Sequence, residues 1–210
     1  MLFIFDLDHT LLNSEKFKKG LAKALKLSME EFSHSYKKCF TDKKLPYNLD
    51  MHISAINNDE KVLLKNNVNE FLKKTDEYLF PEAANILREL KNNGHKLVLL
   101  TYGDIEWQKY KVENLKIEKC FDKIIYTNKK KSGCFFKKII ANYSTASNDE
   151  QFAQSLNDTV VIVNDNAKEC LEMNKIFPDA EIFLIKSQYS NNAKHDFKIK
   201  KLKELIFMNI

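Results

Sequence analysis

Five short runs of apolar residues recur along the chain, and stretches with helical spacing separate them. The runs are Leu2 to Phe5, Leu97 to Leu100, Ile124 to Tyr126, Val160 to Val163 and Ile182 to Ile185. Strands that are apolar on both faces are typical of a parallel sheet covered by helices on either side. The pattern therefore predicts an α/β fold with a doubly wound parallel sheet, and it favours a functional site beyond the carboxyl ends of the strands.

The clearest predicted helix lies between Pro81 and Gly94. Pro81 suits the first position of a helix, and Gly94 suits the residue with positive φ that follows its last turn. A second amphipathic helix is expected near the carboxyl end, where apolar residues recur at helical spacing: Ile199, Leu202, Leu205 and Ile206.

Residues 15–78 interrupt the alternation of strands and helices directly after the first strand. Apolar residues recur there at helical spacing, among them Phe17, Leu21, Ala24, Leu25, Val62, Leu63, Val68, Phe71 and Leu72. Ser28, followed three residues later by Glu31, matches a capping box. We therefore expect residues 1–14 and 79–210 to form the α/β core and residues 15–78 to form an inserted helical cap.

The amino-acid composition indicates a folded, globular protein. The 210 residues are 44% hydrophobic and include 15 Phe and 8 Tyr, which is enough for a globular core and excludes intrinsic disorder. No apolar run is long enough to cross a membrane, and no secretory signal pattern is visible, so a cytoplasmic location is expected.

The net charge of +5 is small and Arg88 is the only arginine, so nucleic acid is not an expected partner. The 4 cysteines have no Cys-x-x-Cys spacing, so the common zinc and redox motifs are absent.

Polar residues follow the predicted strands at the edge where parallel sheets bind ligands. Asp6 and Asp8 come at the end of the first strand, and side chains two residues apart on an extended segment project to the same side. Later strands are followed by Thr101, Tyr102 and Gly103, by Lys129, Lys130 and Lys131, and by Asn164, Asp165, Asn166 and Glu169. An acidic pair alone more often caps the next helix or binds solvent, but polar groups at successive strand ends favour one shared site.

The order of these motifs resembles that of the haloacid dehalogenase superfamily of phosphatases. That family has Asp-x-Asp-x-Thr after the first strand, Thr or Ser after the second, Lys after the third and an acidic motif after the fourth. Residues 6–10 read Asp-Leu-Asp-His-Thr, and residues 80–103 are similar to the family's helix and strand before its second motif. Three positions depart from the common pattern: His9 stands where Gly is frequent, Asn164 where Gly or Asp is common, and Glu169 where Asp is frequent.

The resemblance implies a role for each acidic residue. Asp6 would be the nucleophile that forms an aspartyl-phosphate, and Asp8 would be the general acid and then the general base. Mg²⁺ would be held by the Asp6 side chain, the Asp8 backbone carbonyl and Asp165. Glu169 would orient the water shell of the metal or the active-site lysine.

The resemblance also implies how the phosphoryl group is held. The hydroxyl of Thr101 and backbone N–H groups near Tyr102 and Gly103 would bind its oxygens, and Lys131 would spread positive charge over the transition state. Lys131 is preferred because Phe136, five residues later, matches a helix position of the family. Lys129 and Lys130 stay open as alternatives.

These features predict a Mg²⁺-dependent phosphomonoester hydrolase that acts on a small phosphorylated metabolite. Asp8 favours a phosphatase over a dehalogenase, because a departing halide needs no proton. A phosphomutase of the same superfamily stays open, and so do a phospho-accepting receiver and a pseudoenzyme. A receiver fits less well because its acceptor does not lie in an Asp-x-Asp-x-Thr segment on the first strand.

The resemblance extends to the predicted cap, which is similar to the C1 caps that close over the site in this family. Candidate substrate contacts in the cap are Tyr36, Lys37, Lys38, Tyr47 and His52, although a solvated helix face with aromatic core residues is the favoured interpretation for any one of them. The sequence leaves open the physiological substrate, the oligomeric state and the role of His9.

Overall fold

A parallel β-sheet forms the centre of the molecule in the computed structural model, which describes residues 1–56, 59–128 and 159–207. In these ranges the sheet has 6 strands, in the order β3-β2-β1-β4-β5-β6. The strands are β1 Leu2–Phe5, β2 Lys96–Tyr102, β3 Lys123–Thr127, β4 Val160–Asn164, β5 Glu181–Ile185 and β6 Ile199–Lys200. All five predicted apolar runs lie in strands, so the predicted parallel α/β sheet is confirmed.

Helices of this part of the chain lie between and after the strands. They are α1 Ser14–Ala24, α2 Met29–Tyr36, α3 Leu49–Ile56, α4 Lys61–Leu72, α5 Ala83–Asn92, α6 Ile105–Leu115 and α7 Ala167–Ile176. A π-helical turn spans Lys37–Thr41, and 3₁₀ turns span Thr75–Tyr78, Glu118–Cys120 and Leu202–Phe207. No helix among the described residues is long and apolar enough to span a membrane.

Strand β1 occupies the middle of the sheet and is buried along its whole length. Its alternate residues enter different apolar clusters: Phe3 and Phe5 pack with residues of α1, α5 and α6, whereas Leu2 and Ile4 pack with Met173 of α7. This alternation is what a sheet covered on both faces requires. The doubly wound arrangement predicted from the sequence is therefore confirmed.

The predicted helix between Pro81 and Gly94 exists, but it begins later than expected. Pro81 and Glu82 lie in a turn, and α5 runs from Ala83 to Asn92. Gly94 follows the helix with φ of 80°, as predicted. At this φ a residue with a Cβ is strained, so glycine is suited to end the helix.

The predicted amphipathic helix at the carboxyl end is wrong in its first part. Ile199 and Lys200 form β6, which pairs with Leu184 and Ile185 of β5. The 3₁₀ turn follows, and it buries Leu202 and Leu205 in the apolar cluster beneath β1. Pairing with β6 gives hydrogen-bond partners to backbone groups at the edge of β5. The helical spacing of apolar residues gives no information about this pairing.

Helices α1 to α4 occupy the stretch between β1 and β2 that was predicted to be a cap. The predicted capping box is present, since the Ser28 hydroxyl accepts from the Glu31 N–H at 3.2 Å and the Glu31 carboxylate accepts from the Ser28 N–H at 2.8 Å. Helix α1 begins at Ser14, one residue before the predicted boundary. The division into residues 1–14 and 79–210 as core and 15–78 as cap stays a prediction.

His52 is buried inside this helical segment. Its Nε2 atom lies 2.8 Å from the Ser35 hydroxyl and its Nδ1 atom lies 3.2 Å from the Tyr47 hydroxyl. The rings of Phe32 and Phe40 pack against it, with centroids 5.2 Å and 5.5 Å away. Burial lowers the pKa of the imidazole to about 4, so His52 is neutral at physiological pH.

His52 should make the protein less stable in mild acid. The unfolded chain takes up a proton near the ordinary pKa of 6.5, whereas the folded chain does so only at about 4. Acid therefore favours the unfolded state between these values. His52→Gln keeps a donor and an acceptor but does not titrate. The stability of the wild type relative to this variant should fall by on the order of 1–2 kcal/mol between about pH 7 and pH 5 in urea unfolding experiments. A difference that stays constant across this range would contradict the prediction.

Candidate active site

A pocket of about 310 Å³ lies beyond the carboxyl ends of β1 and β4. Four acidic residues contribute to its lining: Asp6, Asp8, Asp165 and Glu169. The first two follow β1 and the other two follow β4. The structure thus gathers in one cavity the acidic residues that the sequence places far apart.

Asp6 and Asp165 lie deep in this pocket, with exposures of 7% and 3%. The Asp6 N–H donates to the Val163 carbonyl of β4 at 2.9 Å, so the backbone ties Asp6 directly to the neighbouring strand. The Asp165 carboxylate accepts a hydrogen bond from the Ser187 hydroxyl at 2.7 Å. Adjacent parallel strands therefore bring two buried carboxylates to the same end of the sheet.

Asp8 forms an ion pair with Lys111, a residue that belongs to none of the predicted motifs. The Lys111 ammonium donates to the two Asp8 carboxylate oxygens at 2.9 Å and 2.7 Å, and the Ser14 hydroxyl donates to one of them at 2.9 Å. The Lys111 side chain is 4% exposed and that of Asp8 is 35% exposed. Burial raises the pKa of the Asp8 carboxyl, but the charge and hydrogen bond of Lys111 outweigh this effect and lower it to about 2.

One signal in the sequence could have revealed Lys111. The buried face of α6 includes Trp107, Val112 and Leu115, and Lys111 lies on that same face. A lysine on the buried face of a helix needs an anionic partner, because an unpaired charge is costly to remove from water. The sequence pattern therefore pointed to a buried ion pair without naming its partner.

The segment after β2 is organised by Gln108 of α6. The Thr101 hydroxyl donates to the Gln108 side-chain oxygen at 3.1 Å, and the Gln108 amide donates to the Tyr102 carbonyl at 3.0 Å. Gly103 has φ of 153°, and a Cβ there would lie 2.6 Å from the Gln108 amide nitrogen. Its N–H donates to the Thr127 carbonyl at 2.9 Å.

The three residues predicted to bind the phosphoryl group are therefore placed differently. Tyr102 lines the pocket, whereas Thr101 and Gly103 are not among its lining residues. Thr101 is buried and its hydroxyl is used by Gln108, while the Gly103 N–H is used by the backbone of β3. In this structure, the Thr101 hydroxyl and the Gly103 N–H therefore donate to other protein groups.

The predicted lysines of the third motif, Lys129, Lys130 and Lys131, lie outside the described residues, as does Phe136. The assignment of Lys131 stays a prediction. Glu169 lies in the pocket, where its carboxylate accepts from the Asn164 amide at 3.1 Å.

The candidate substrate contacts in the predicted cap fall into two groups. Tyr36 and Tyr47 line the pocket. Lys37 and Lys38 are exposed and do not line it, and His52 is buried inside the helical segment. Only the two tyrosines of this set are therefore in a position to contact a ligand in the pocket.

His9 also lines the pocket and has a φ of 61°. Its N–H donates to the Ser14 hydroxyl at 3.0 Å, and its ring packs edge-on against Tyr189 with centroids 5.3 Å apart. Burial lowers the pKa of the His9 imidazole, an effect that the nearby Asp8 carboxylate opposes. These contacts place His9 at the edge of the site, beside Asp8.

The donor chemistry of the pocket fits a magnesium ion. Mg²⁺ prefers carboxylate and carbonyl oxygens and keeps water in the rest of its shell. Asp6 and Asp165 offer buried carboxylates to one cavity, and Asp8, whose backbone carbonyl is the third predicted ligand, lines the same cavity. The described residues include no cluster of three His, Cys, Asp or Glu side chains that could hold a metal. The predicted Mg²⁺ ligands include only two carboxylate side chains, those of Asp6 and Asp165, so the predicted site does not require such a cluster.

Comparison with solved structures shows the same overall fold in several bacterial proteins. A protein from Burkholderia xenovorans assigned as a haloacid dehalogenase-like hydrolase is 18% identical, with 99% of this chain and 95% of that chain covered and a TM-score of 0.69. The HAD-hydrolase YfnB from Bacillus subtilis, solved with bound magnesium, is 15% identical, with 100% and 98% covered and a TM-score of 0.64. A protein from Haemophilus somnus assigned as a phosphoglycolate phosphatase is also 15% identical, with 100% and 97% covered and a TM-score of 0.58.

At these identities the structural likeness shows the fold alone. No curated protein sequence matches the chain. The family model for haloacid dehalogenase-like hydrolases, however, matches residues 3–171, which is most of the sequence. The chain therefore belongs to the haloacid dehalogenase-like hydrolase family.

Proposed function

We propose that the protein is a Mg²⁺-dependent phosphomonoester hydrolase that acts on a small phosphorylated molecule through an aspartyl-phosphate at Asp6. The observation that carries this proposal is the convergence of Asp6, Asp8 and Asp165 on one pocket. Membership of the hydrolase family supplies the general reaction class. The hydrogen-bonded Asp8 supports a phosphate ester as substrate, because an alcohol needs a proton to leave whereas a halide does not.

The reaction would take place in two steps. In the first, an Asp6 carboxylate oxygen attacks phosphorus, the bond from phosphorus to the leaving oxygen breaks, and Asp8 gives its proton to that oxygen. In the second, the Asp8 carboxylate takes a proton from water, the resulting hydroxide attacks phosphorus, and the bond from phosphorus to the Asp6 oxygen breaks, which releases inorganic phosphate and restores the Asp6 carboxylate. Mg²⁺, held by the Asp6 and Asp165 carboxylates and the Asp8 carbonyl, would offset the negative charge of the phosphoryl group.

Lys111 would serve as a positioning residue for Asp8. Its ammonium and the Ser14 hydroxyl fix the Asp8 carboxylate from two sides. The ion pair favours the ionised form of Asp8, which is the form that the second step needs. In the first step, the negative charge of an incoming phosphoryl group would compete for the Lys111 ammonium and so favour a proton on Asp8.

Replacing the two carboxylates of the first motif should abolish turnover by different routes. Asp6→Asn should lose phosphate release because an amide cannot form the acyl phosphate. Asp8→Asn should lose about 100- to 10,000-fold in kcat with alkyl phosphates, which need a general acid. Asp50→Asn, a change at an exposed carboxylate outside the pocket, is the matched control and should behave as the wild type. Phosphate release is measured over a panel of esters with Mg²⁺ and with EDTA.

Three results of this assay would contradict the proposal. They are turnover in the presence of EDTA, full activity of Asp6→Asn, and no phosphate release from any ester with Mg²⁺ present. An isomerised product without free phosphate would instead indicate a phosphomutase.

The Lys111→Met variant should lose activity in a way that depends on pH. Methionine keeps most of the side-chain length but removes the charge that keeps Asp8 ionised, so the second step should need a higher pH than in the wild type. With p-nitrophenyl phosphate, whose leaving group needs little help from an acid, kcat near pH 6 should fall by about 10- to 100-fold and should recover as the pH is raised. Lys109→Met, on the exposed side of the same helix, is the control. A loss of the same size at every pH would argue that Lys111 supports only the folded structure.

A further inference from the structure

One side of the pocket consists of aromatic rings. Five rings contribute to it, and we call them the aromatic wall: Phe17, Phe32, Tyr36, Tyr47 and Trp107. Phe17 lies on α1, Phe32 and Tyr36 lie on α2, and Trp107 lies on α6. The wall is thus assembled from the helical segment between β1 and β2 together with a helix that follows β2.

The rings of the aromatic wall form a continuous chain of contacts. The centroids of Phe32 and Tyr36 are 5.9 Å apart, and those of Tyr36 and Tyr47 are 5.6 Å apart with planes only 10° from parallel. Trp107 follows at 5.0 Å from Tyr47, and Phe17 lies 6.3 Å from Trp107. Phe17, Phe32 and Trp107 are almost fully buried, whereas Tyr36 and Tyr47 are half-buried. The part of the wall that a ligand can contact is therefore mainly these two tyrosines, which their neighbours hold in place before any ligand binds.

The wall begins at the proposed acid. The Lys111 ammonium, 2.7 Å from an Asp8 oxygen, also lies 5.8 Å from the centroid of the Phe17 ring. Tyr36 and Asp8 line the same pocket. Burial raises the pKa of the Tyr36 hydroxyl, and the negative charge of Asp8 raises it further. Because Asp8 must reach the leaving oxygen, the atoms beyond that oxygen have to lie close to these rings.

The described lining offers few cationic groups for a second anionic group on the substrate. Its two lysines already have anionic partners: Lys111 pairs with Asp8, and Lys18 lies 3.4 Å from Glu15. The hydroxyl of Tyr47 is hydrogen-bonded to His52. Arg88, the only arginine of the sequence, lies on α5, outside this lining. A second phosphate or a carboxylate on the substrate would therefore find no unpaired cation among these residues.

We propose that the substrate is a phosphate monoester whose leaving alcohol carries a flat, carbon-rich group, most simply one aromatic ring, which lies against the aromatic wall. This inference rests on the proposed phosphatase function. A cavity of about 310 Å³ is at the small end for ligand pockets, which fits a phosphoryl group with one such ring rather than a larger molecule. Contact of a ring with the wall removes apolar surface of both from water and favours binding.

The test compares esters that differ in the ring but have similar leaving oxygens. The full chain with Mg²⁺ is assayed for kcat/KM with 2-phenylethyl phosphate, ethyl phosphate and glycerol 3-phosphate. The phenylethyl ester should be preferred by about 10- to 100-fold over each of the other two. Inhibition of the wild type by 2-phenylethylphosphonate and ethylphosphonate, which cannot be hydrolysed, should show the same preference in binding.

A variant in the aromatic wall tests whether these residues cause the preference for the phenylethyl ester. Tyr36→Ala removes one half-buried ring of the wall and should reduce the preference for the phenylethyl ester to a few-fold, while ethyl phosphate is still hydrolysed. Tyr110→Ala, a change at an exposed tyrosine outside the pocket, is the matched control and should keep the full preference.

The outcomes separate the two proposals. If phosphate is released but the phenylethyl ester and phosphonate have no advantage, the aromatic leaving group is wrong and the phosphatase function stands. If Tyr36→Ala keeps the full preference, the wall is not the surface that recognises the ring. If no ester releases phosphate with Mg²⁺, the proposed function fails, and the inference on its substrate fails with it.

Discussion

The position of β1 between β2 and β4 is the constraint on which the rest of the site depends. Phe5, the last residue of β1, pairs with Leu99 on one side and Val163 on the other. These parallel registers end the strands at one edge of the sheet, so that Asp6 and Asp165 enter the same pocket. A slip of one residue in β1 would turn Asp6 to the opposite face and separate the carboxylates.

The ion pair between Asp8 and Lys111 connects this edge of the sheet to the rest of the pocket. A lysine that is almost fully buried is tolerated because the carboxylate and the ammonium compensate each other, whereas loss of either leaves a costly unpaired charge. Lys111 shares α6 with Trp107, and its ammonium lies over the Phe17 ring. The same helix therefore places the partner of the proposed acid and part of the surface proposed to hold the leaving group.

The sequence predicted the sheet well because continuous apolar runs report burial on both faces directly. The capping box at Ser28 and the positive φ of Gly94 were also predictable, since each depends on a short stretch of backbone. Ile199 was predicted in a helix, because the pairing of β6 with the edge of β5 is a long-range contact that local spacing does not encode. At Ile199, strand pairing therefore determines the backbone conformation, and the helical spacing of apolar residues does not.

The candidate site was only partly predictable for the same reason. The motifs named Asp6, Asp8 and Asp165, and the fold gathers these three residues in one pocket. The hydrogen bonds that occupy Thr101 and Gly103, and the ion pair of Lys111, depend on how α6 packs against the sheet. Their partners are distant in the sequence or are chosen by side-chain geometry, which no motif spacing specifies.

The most direct test of the account is the identity of the residue that carries the phosphoryl group during turnover. The enzyme is mixed with a phosphate ester and Mg²⁺, quenched in acid within one turnover and treated with borohydride, which reduces an aspartyl-phosphate to homoserine. Peptide mass spectrometry then locates the reduced residue. The account predicts homoserine in place of Asp6. A covalent phosphoryl group on another residue, or phosphate release with no modified Asp6 at any time point, would contradict it.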